Sequence, residues 1–293
     1  MIPSRAPVVV VVGSLHYDIM IDAPDRPRKG ETVAGHAWRP KFGGKGGNQA
    51  IAAAEAGARV RMAGAVGADD FGRFLLDRLD RTGVDHSRVV ELPGIGSGMS
   101  VAISDAGGDY GAVIVSGSNL HIDEAGLADP GLWAEARALI LQNEVPDRDN
   151  LAAARAAKAA GAGVFLNAAP ARTLPADLAG LVDVLIVNAI EAEDLCGIPV
   201  RDLASAADAA QHLASRFASV VVTAGGDGVA GSEEGSLPIR IPARPVELVS
   251  THGAGDVFVG RFVASRARGQ GFADSIAAAN DAAAAHVSAR RDG

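Results

Sequence analysis

Short apolar runs alternate with longer, alanine-rich stretches along most of the chain. The apolar runs predict strands at positions 8–12, 59–63, 138–141, 163–166, 183–187 and 219–222. The stretches between them predict helices at positions 49–56, 71–82, 150–160, 203–217, 256–268 and 272–288, several of them closed by glycine. Because strands that alternate with helices pair in parallel, the pattern predicts an α/β fold, a doubly wound and mostly parallel sheet with helices on both faces.

Two segments break this alternation, at positions 19–37 and 99–116. The second reads as two strands joined by a turn rich in Asp and Gly. Neither segment is large enough to form a domain, so both must pack on the α/β core. We therefore expect a single domain over positions 1–293, in which segments at about 14–42 and 98–118 form a small β-sheet lid over a cleft.

The composition excludes several classes of function. The chain carries 27 Lys and Arg against 35 Asp and Glu, and its net charge of −8 argues against an open nucleic-acid surface. A single cysteine, Cys196, excludes a disulfide framework and a thiolate metal cluster. The five valines at 8–12 form too short a run to cross a membrane, and no small-residue cleavage site follows them. We expect a cytoplasmic protein that binds neither nucleic acid nor membrane.

Polar residues recur where the predicted strands end. They are the run 142–144, then Asn167, then Asn188 with Glu191, and then Thr223. In an open α/β sheet the carboxyl ends of the strands line the ligand crevice. Each residue taken alone is more often a helix cap or a turn residue, but four successive occurrences favour a site.

A Gly-Ala-Gly-Asp turn at 253–256 precedes the predicted helix that continues to position 268. Unpaired N–H groups and the positive end of the helix dipole at such a turn favour an anion. A carboxylate at Asp256 could accept the proton of a hydroxyl that attacks a γ-phosphoryl group. The alternative is an ordinary acidic residue in the first turn of a helix.

A second glycine cluster, Gly-Gly-Lys-Gly-Gly-Asn at 43–48, opens the helix predicted at 49–56. It lacks the order of a Walker A loop. Its open backbone, together with Lys45 and Asn48, suits hydrogen bonds to the hydroxyls of a small polyol. The alternative is a flexible connection in which Asn48 caps the helix.

Other reactive patterns are weak. Positions 226–231 match G-x-G-x-x-G, but the residues that follow lead into a hairpin turn near 237–239 rather than a helix, which argues against a dinucleotide site. The seven histidines show no zinc-binding spacing, and no G-x-S-x-G elbow is present. His16 and His252 nevertheless stand beside the two glycine-rich segments.

These motifs together resemble the ribokinase-like sugar kinases of the PfkB family over nearly the whole chain. The matching segments are GSLHYD at 13–18, PRKGETV at 27–33, GGKGGNQA at 43–50, GAVGADDFG at 64–72, NAAP at 167–170, NAIEAE at 188–193 and HGAGDVFVG at 252–260. The resemblance implies ATP-dependent phosphorylation of a sugar's primary hydroxyl with Mg²⁺. It also implies a lid over the sugar, which in the family forms a dimer interface, so we expect a homodimer.

The resemblance also assigns roles to individual positions. It implies that Asp256 is the catalytic base and that Gly253, Ala254 and Gly255 form an anion hole. The implied sugar contacts are His16, Asp18, Gly44, Lys45, Asn48 and Glu144. The implied nucleotide contacts are Asn188, Thr223, Gly225, Gly228 and Asn280. Glu191 is implied to hold Mg²⁺ indirectly, through water.

The chain departs from the family pattern at three places. His16 stands where the ribokinase-like enzymes carry Asn, which changes the donor or acceptor offered to one sugar hydroxyl. Ser-Thr-His at 250–252 replaces Asp-Thr-Thr and removes a carboxylate from the loop that holds a monovalent cation. The segment after Asn280 is also short. We therefore do not expect activation by a monovalent cation.

The expected activity is transfer of the γ-phosphoryl group of ATP to the primary hydroxyl of a pentose, with D-ribose and its 5-phosphate as the leading pair. Alternatives with the same chemistry are a nucleoside, a fructose derivative or a keto-deoxy sugar acid as acceptor. An alternative of another class is a non-catalytic protein that binds or senses a sugar.

Overall fold

The computed structural model describes residues 6–105 and 110–289. Its strands are β1 (Val8–Val12), β2 (His16–Asp22), β3 (Ala37–Gly43), β4 (Arg59–Gly67), β5 (Asp85–Leu92), β6 (Met99–Ser104), β7 (Tyr110–Val115), β8 (Ala136–Gln142), β9 (Gly163–Asn167), β10 (Val184–Asn188), β11 (Ser219–Thr223), β12 (Gly228–Glu233) and β13 (Ile239–Pro242). Its α-helices are α1 (Lys45–Glu55), α2 (Asp70–Arg81), α3 (Glu124–Ala128), α4 (Pro130–Trp133), α5 (Asp147–Ala159), α6 (Ala176–Ala179), α7 (Ala189–Cys196), α8 (Leu203–Leu213), α9 (Ala254–Ala267) and α10 (Phe272–Ser288).

A nine-stranded sheet forms the centre, in the order β13-β12-β11-β10-β9-β8-β1-β4-β5. All pairs from β11 to β5 are parallel, whereas β12 and β13 pair antiparallel at one edge. The chain builds outward from β1 through β4 and β5, and then returns to β8 on the other side of β1. The strand order therefore reverses next to β1, and a ligand crevice forms at such a place, outside the carboxyl ends of the strands.

Both faces of this sheet are buried, as the five successive valines of β1 show. Val8, Val10 and Val12 pack into one apolar cluster with α3 to α8, while Val9 and Val11 pack into a second cluster with α1, α2, α9 and α10. A strand covered on both faces needs apolar residues at every position. The doubly wound α/β fold predicted from the sequence is confirmed.

A separate four-stranded sheet, in the order β3-β2-β6-β7, is formed by the two segments that break the alternation. The segment at 99–116 is the predicted pair of strands, β6 and β7, although its turn at 106–109 lies outside the described residues. In the first segment, β2 begins at His16, so its polar side chains belong to the sheet itself.

Successive residues of β2 alternate between the two faces of this small sheet. Asp18 shares one face with Lys41 and Ser100, its partners on β3 and β6, whereas Tyr17 faces the other way and stacks on Phe71 of α2 at 4.0 Å. One face is thus polar, and the other continues the apolar side chains of the core.

Several bounds differ from those predicted. Helix α1 begins at Lys45, inside the glycine cluster, with Gly44 at its N-cap at φ 85°, a value that favours glycine. Asn48 therefore lies within the helix, and the alternative that it caps the helix is wrong. The sequence also missed β5 and β13, because edge strands expose many of their residues and lack a continuous apolar run.

Within residues 6–105 and 110–289, no helix is both long enough and apolar enough to cross a membrane.

Helices α1 and α9 cross closely at Gly260. A β-carbon added at this glycine would lie 2.6 Å from the Ala52 β-carbon and 2.7 Å from the Gln49 carbonyl oxygen. Real side chains do not approach to these distances, so the two helices are in contact through their backbones. This close approach needs glycine at position 260, and it holds the N-terminal ends of α1 and α9 together at the same edge of the sheet.

Replacing Gly260 with Ala should force the two helices apart and lower the free energy of unfolding by about 1–3 kcal/mol. Urea unfolding followed by circular dichroism measures the change. Gly180→Ala is the matched control, since its nearest contact would be an ordinary 3.5 Å and its backbone is helical. Equal stability of the two variants would contradict this account of the helix crossing.

Candidate active site

A cleft of ≈ 130 Å³ opens at the carboxyl ends of β9, β10 and β11. Its lining residues are Lys45, Asn167, Ala169, Ile186, Val187, Asn188, Glu191, Thr223, Gly253, Gly255, Asp256, Phe258 and Val259. Seven of the site residues proposed from the sequence are among them, although they come from five different elements and the turn before α9. The fold therefore brings the later strand ends together with Lys45 and the turn before α9. The predicted site residues that do not line this cleft are His16, Asp18, Gly44, Asn48, Glu144, Gly225, Gly228, Ala254 and Asn280.

The turn before α9 presents backbone donors to this cleft. Gly253 is the N-cap and has φ 84°, a left-handed conformation in which glycine avoids strain, and no side chain caps the helix. The N–H of Ala254 donates to the carbonyl of Thr251 at 3.3 Å. Among the described residues the N–H groups of Gly253, Gly255 and Asp256 have no acceptor, so these are the donors that the turn offers to an anion. The Ala254 N–H, predicted as part of the anion hole, is already used within the turn.

Asp256 lies in the first turn of α9 with both carboxylate oxygens engaged. Oδ2 accepts from Asn48 Nδ2 at 3.1 Å, and Oδ1 accepts from Gln49 Nε2 at 3.0 Å. Burial raises the pKa of the Asp256 carboxyl, while the charge of Lys45 and the two amide donors oppose this rise. The carboxylate is consequently a stronger proton acceptor than an exposed aspartate.

Asp18 lies on the polar face of the small sheet. Its Oδ1 accepts from the Ser100 hydroxyl at 2.5 Å, and burial raises the pKa of its carboxyl. The adjacent strand leaves room for it because position 43 is glycine, and a β-carbon there would clash with the carboxylate. This explains why the glycine cluster begins at Gly43.

Glu144 joins three parts of the site. Its Oε2 accepts from the backbone N–H of Lys45 at 2.8 Å and from the Ser14 hydroxyl, and it lies 4.0 Å from His16 Nδ1. An acidic side chain at the N-terminus of α1 satisfies an otherwise unpaired N–H and is favoured by the helix dipole. Glu144 therefore holds the start of α1 in place as well as facing the site.

Asn188 and Glu191 form a reciprocal cap at the start of α7. Asn188 Oδ1 accepts from the Glu191 N–H, and Glu191 Oε2 accepts from the Asn188 N–H, both at 2.9 Å. Burial raises the pKa of the Glu191 carboxyl, and Lys45 is among the groups that oppose this. The cap fixes a buried acidic side chain at the wall of the cleft.

The other proposed nucleotide positions lie at the far end of the sheet. Gly225 and Gly228, both with positive φ, form the turn between β11 and β12. Asn280 on α10 donates to the carbonyl of Pro242, the residue that pairs with Gly228. The G-x-G-x-x-G match in this region opens no helix, as expected from the sequence, but it runs into strand β12, which the sequence did not predict.

Three residues that hydrogen-bond to predicted site carboxylates were not predicted from the sequence. Gln49 contacts Asp256, Ser100 contacts Asp18, and Ser14 contacts Glu144. Gln49 directly follows the glycine cluster, which was the available signal. Ser100 and Ser14 meet their partners across 82 and 130 positions of the chain, and no local pattern shows this.

Comparisons with known proteins agree with this geometry. The family model described as pfkB family carbohydrate kinase matches residues 7–293. Ribokinase of Haemophilus influenzae is 33% identical over 281 residues, which are 95% of this chain and 92% of that protein. Mouse ribokinase (Mus musculus) is 34% identical over 260 residues, 87% of this chain and 80% of that protein.

Solved structures show the same fold. The structure of Arabidopsis thaliana ribokinase complexed with ribose and ATP superimposes with a TM-score of 0.90 at 29% identity, covering 98% of this chain and 94% of that one. The Cryptococcus neoformans ribokinase in complex with ADP gives 0.84 at 28% identity, with 97% and 95% covered.

The chain thus has the fold of the ATP-dependent sugar kinases. It belongs to the pfkB family of carbohydrate kinases. This confirms the resemblance, the enzyme class and the fold expected from the sequence.

Replacing Gly43 with Ala should displace the Asp18 carboxylate. Since the sequence predicts Asp18 as a sugar contact, the variant should also bind a pentose about tenfold or more weakly, because a hydrogen bond to a charged group would be lost. Isothermal calorimetry with the sugar measures this. Gly96→Ala is the control, because its added β-carbon would meet only Asp69 at 3.9 Å. Unchanged sugar affinity in the Gly43 variant would remove Asp18 from the sugar site.

Proposed function

We propose that this enzyme phosphorylates D-ribose at its primary hydroxyl, with ATP as donor and ribose 5-phosphate as product. The observation that carries the proposal is the position of the Asp256 carboxylate in one cleft with the unpaired N–H groups of Gly255 and Asp256 at the start of α9. The names of the curated relatives at 30–34% identity support ribose as the acceptor.

The sugar is proposed to lie between the polar face of the small sheet and the start of α1. Asp18 and Glu144 accept hydrogen bonds from sugar hydroxyls, while Lys45 and Asn48 donate to sugar oxygens. The proposed sugar site thus offers both hydrogen-bond acceptors and donors, and each hydroxyl of a polyol can use both. His16 is the remaining polar side chain there, and its buried Nε2 has no partner among the described residues, which makes it available to a hydroxyl.

Transfer follows from the position of Asp256. Its carboxylate accepts the proton of the primary hydroxyl as that oxygen forms a bond to the γ-phosphorus. The bond from the γ-phosphorus to the oxygen that bridges the β- and γ-phosphates breaks, and ADP leaves. The N–H groups of Gly255 and Asp256 and the positive charge of Lys45 stabilise the negative charge on the transferred group.

We assign the nucleotide to the side of the cleft formed by β10 and β11. Asn188 and Thr223 line it, and the glycine turn at 225–228 leaves the backbone open to a large ligand. Asn280 is proposed to contact the end of the nucleotide farthest from Asp256. Its side chain is held there by a hydrogen bond to the carbonyl of Pro242.

The residues present fit Mg²⁺ held through water. Glu191 is a buried carboxylate at the cleft wall with only Oε2 used in the helix cap, and Asn188 beside it supplies further oxygen. Mg²⁺ usually keeps several waters and binds through one or two carboxylates together with substrate phosphates, so a single buried carboxylate fits it. When bound, Mg²⁺ would neutralise charge on the β- and γ-phosphates.

Replacing Asp256 with Asn should lower kcat by at least a hundredfold while leaving sugar affinity within a few fold, since the amide still hydrogen-bonds but cannot accept the proton. A coupled ADP-release assay and calorimetry measure the two quantities. Turnover by the variant at the rate of the unmodified enzyme would rule out Asp256 as the base.

The same assay identifies the acceptor when run with ribose, 2-deoxyribose, a nucleoside, a fructose phosphate and a keto-deoxy sugar acid. We expect the highest kcat/KM with ribose. Strong activity on another member of the panel and none on ribose would reject the proposed acceptor but keep the chemistry. Sugar binding without any ADP release would instead indicate a non-catalytic sugar-binding protein.

The small sheet is proposed to act as the lid, and its apolar face as the interface of a homodimer. That face consists of Tyr17, Ile19, Ile21, Trp38, Pro40, Phe42, Met99, Val101, Ile103, Val113 and Val115. At its outer end Trp38 is 65% and Val113 is 68% exposed. The inner end of this face, with Tyr17 and Phe42, packs on the core. The exposed outer end is stable in water when it is covered, and a second copy covers it with an equally apolar surface.

Replacing Val113 with Lys should convert the dimer to a monomer, because the interface would bury an unpaired charge. Light scattering after size-exclusion chromatography measures the mass. Leu237→Lys, at a turn where Leu237 is 85% exposed, is the control and should remain dimeric. A monomeric parent protein would contradict the proposed dimer.

We also propose a cytoplasmic location. The chain has one cysteine and thus cannot form an internal disulfide, so its stability does not depend on an oxidising compartment. ATP as phosphoryl donor supports the same location.

A further inference from the structure

The side chain of Gln49 lies between two polar groups in the deepest part of the site. It is fully buried, with 0% of its surface exposed. Its Nε2 donates to Asp256 Oδ1 at 3.0 Å and to Asn167 Oδ1 at 2.9 Å. An amide nitrogen carries two hydrogens, so both are used by these two acceptors.

The orientation of this amide follows from a neighbouring backbone group. Asn167 Nδ2 donates to the carbonyl of Ile186 at 3.1 Å, and a carbonyl can only accept. Asn167 must therefore direct its oxygen toward Gln49, which must in turn direct its nitrogen toward Asn167 and Asp256. Rotating either amide by 180° would bring two oxygens together. The carbonyl of Ile186 on β10 therefore determines that Nε2 of Gln49, and not Oε1, faces the Asp256 carboxylate.

The α1–α9 contact brings Gln49 to this place. Because Gly260 lets the two backbones approach, Gln49 is one turn from the crossing on α1 and Asp256 is one turn from it on α9. Asn48 then meets the second oxygen of the same carboxylate. The carboxylate is held at both oxygens by two successive residues of one helix.

We propose that Gln49, oriented by Asn167, is a positioning residue that holds the Asp256 carboxylate in the geometry in which it accepts the proton of the sugar hydroxyl. The inference rests on the proposed function of Asp256. Gln49 is fully buried and both hydrogens of its amide are used by Asn167 and Asp256, so it acts through Asp256 rather than on the sugar.

A second consequence concerns ionisation. Donation from Gln49 stabilises the charged form of Asp256 and opposes the effect of burial on its pKa. The other charged groups that face Asp256 are Lys45 on α1, which also favours the ionised form, and Glu144 after β8, which disfavours it. Loss of the Gln49 amide removes one stabilising group and leaves the opposing ones, so the carboxylate becomes protonated at a higher pH.

The test replaces Gln49 with Met, which has nearly the same shape but no amide. The expected result is a fall in kcat of about tenfold to a hundredfold, because the base is less well positioned, with KM for ribose within about threefold. The acid limb of the kcat/KM profile should move up by about one pH unit, the effect of losing a hydrogen bond to a charged group. A purely structural role would lower stability without moving this limb.

Gln211→Met is the control with the same exchange of side chains. Gln211 is exposed on α8, does not line the cleft and does not contact Asp256. Its substitution should leave the acid limb where it is in the parent enzyme.

The parent enzyme is assayed first with ribose, so that failure of the proposed function is seen separately from failure of this inference. If the parent enzyme is active and the Gln49 variant keeps its acid limb and kcat, the inference is overturned.

If the Gln49 variant does not fold, Asn167→Ala tests the same proposal. This substitution removes the acceptor that fixes the Gln49 amide and so leaves the amide free to rotate. The inference then requires a lower kcat and a raised acid limb, and parent values for both would overturn it.

Discussion

The close packing of α1 against α9 is the constraint on which the site depends. Both helices start at the carboxyl edge of the sheet, and their backbones meet at Gly260 without an intervening side chain. The first five residues of α1 then supply Lys45, Asn48 and Gln49, and the first turn of α9 supplies Asp256. A wider crossing would separate the carboxylate from the groups that hold it.

The charges of the cleft are arranged around this contact. Two helix N-termini favour negative charge, and Lys45 adds a full positive charge beside Asp256, Glu144 and Glu191. Burial acts in the opposite direction, since it raises the pKa of both Asp256 and Glu191. The same features that keep a buried carboxylate ionised also favour the oxygens of a phosphate, so one arrangement serves the base and the anion.

Local sequence patterns predicted the main parts of the fold well. Five successive valines indicated a central strand, and β1 is buried on both faces. Polar residues after the strands indicated the edge at which the cleft opens, because all carboxyl ends of a parallel sheet meet at that edge. The edge strands β5 and β13 escaped prediction since their exposure leaves no apolar run, and the start of α1 escaped it because glycine and lysine give no clear helical period.

Contacts across large sequence distances were beyond local patterns. The pairing of Asp18 with Ser100 depends on the register of β2 against β6, and the position of Gln49 between Asn167 and Asp256 depends on how two helices cross. The sequence by itself determined the alternation of strands and helices, the glycine-rich turns and the residue types that do the chemistry, because these follow from local propensity and periodicity. Only the tertiary structure decided which donor faces which carboxylate, because a hydrogen bond requires two atoms within about 3 Å and that distance is set by packing.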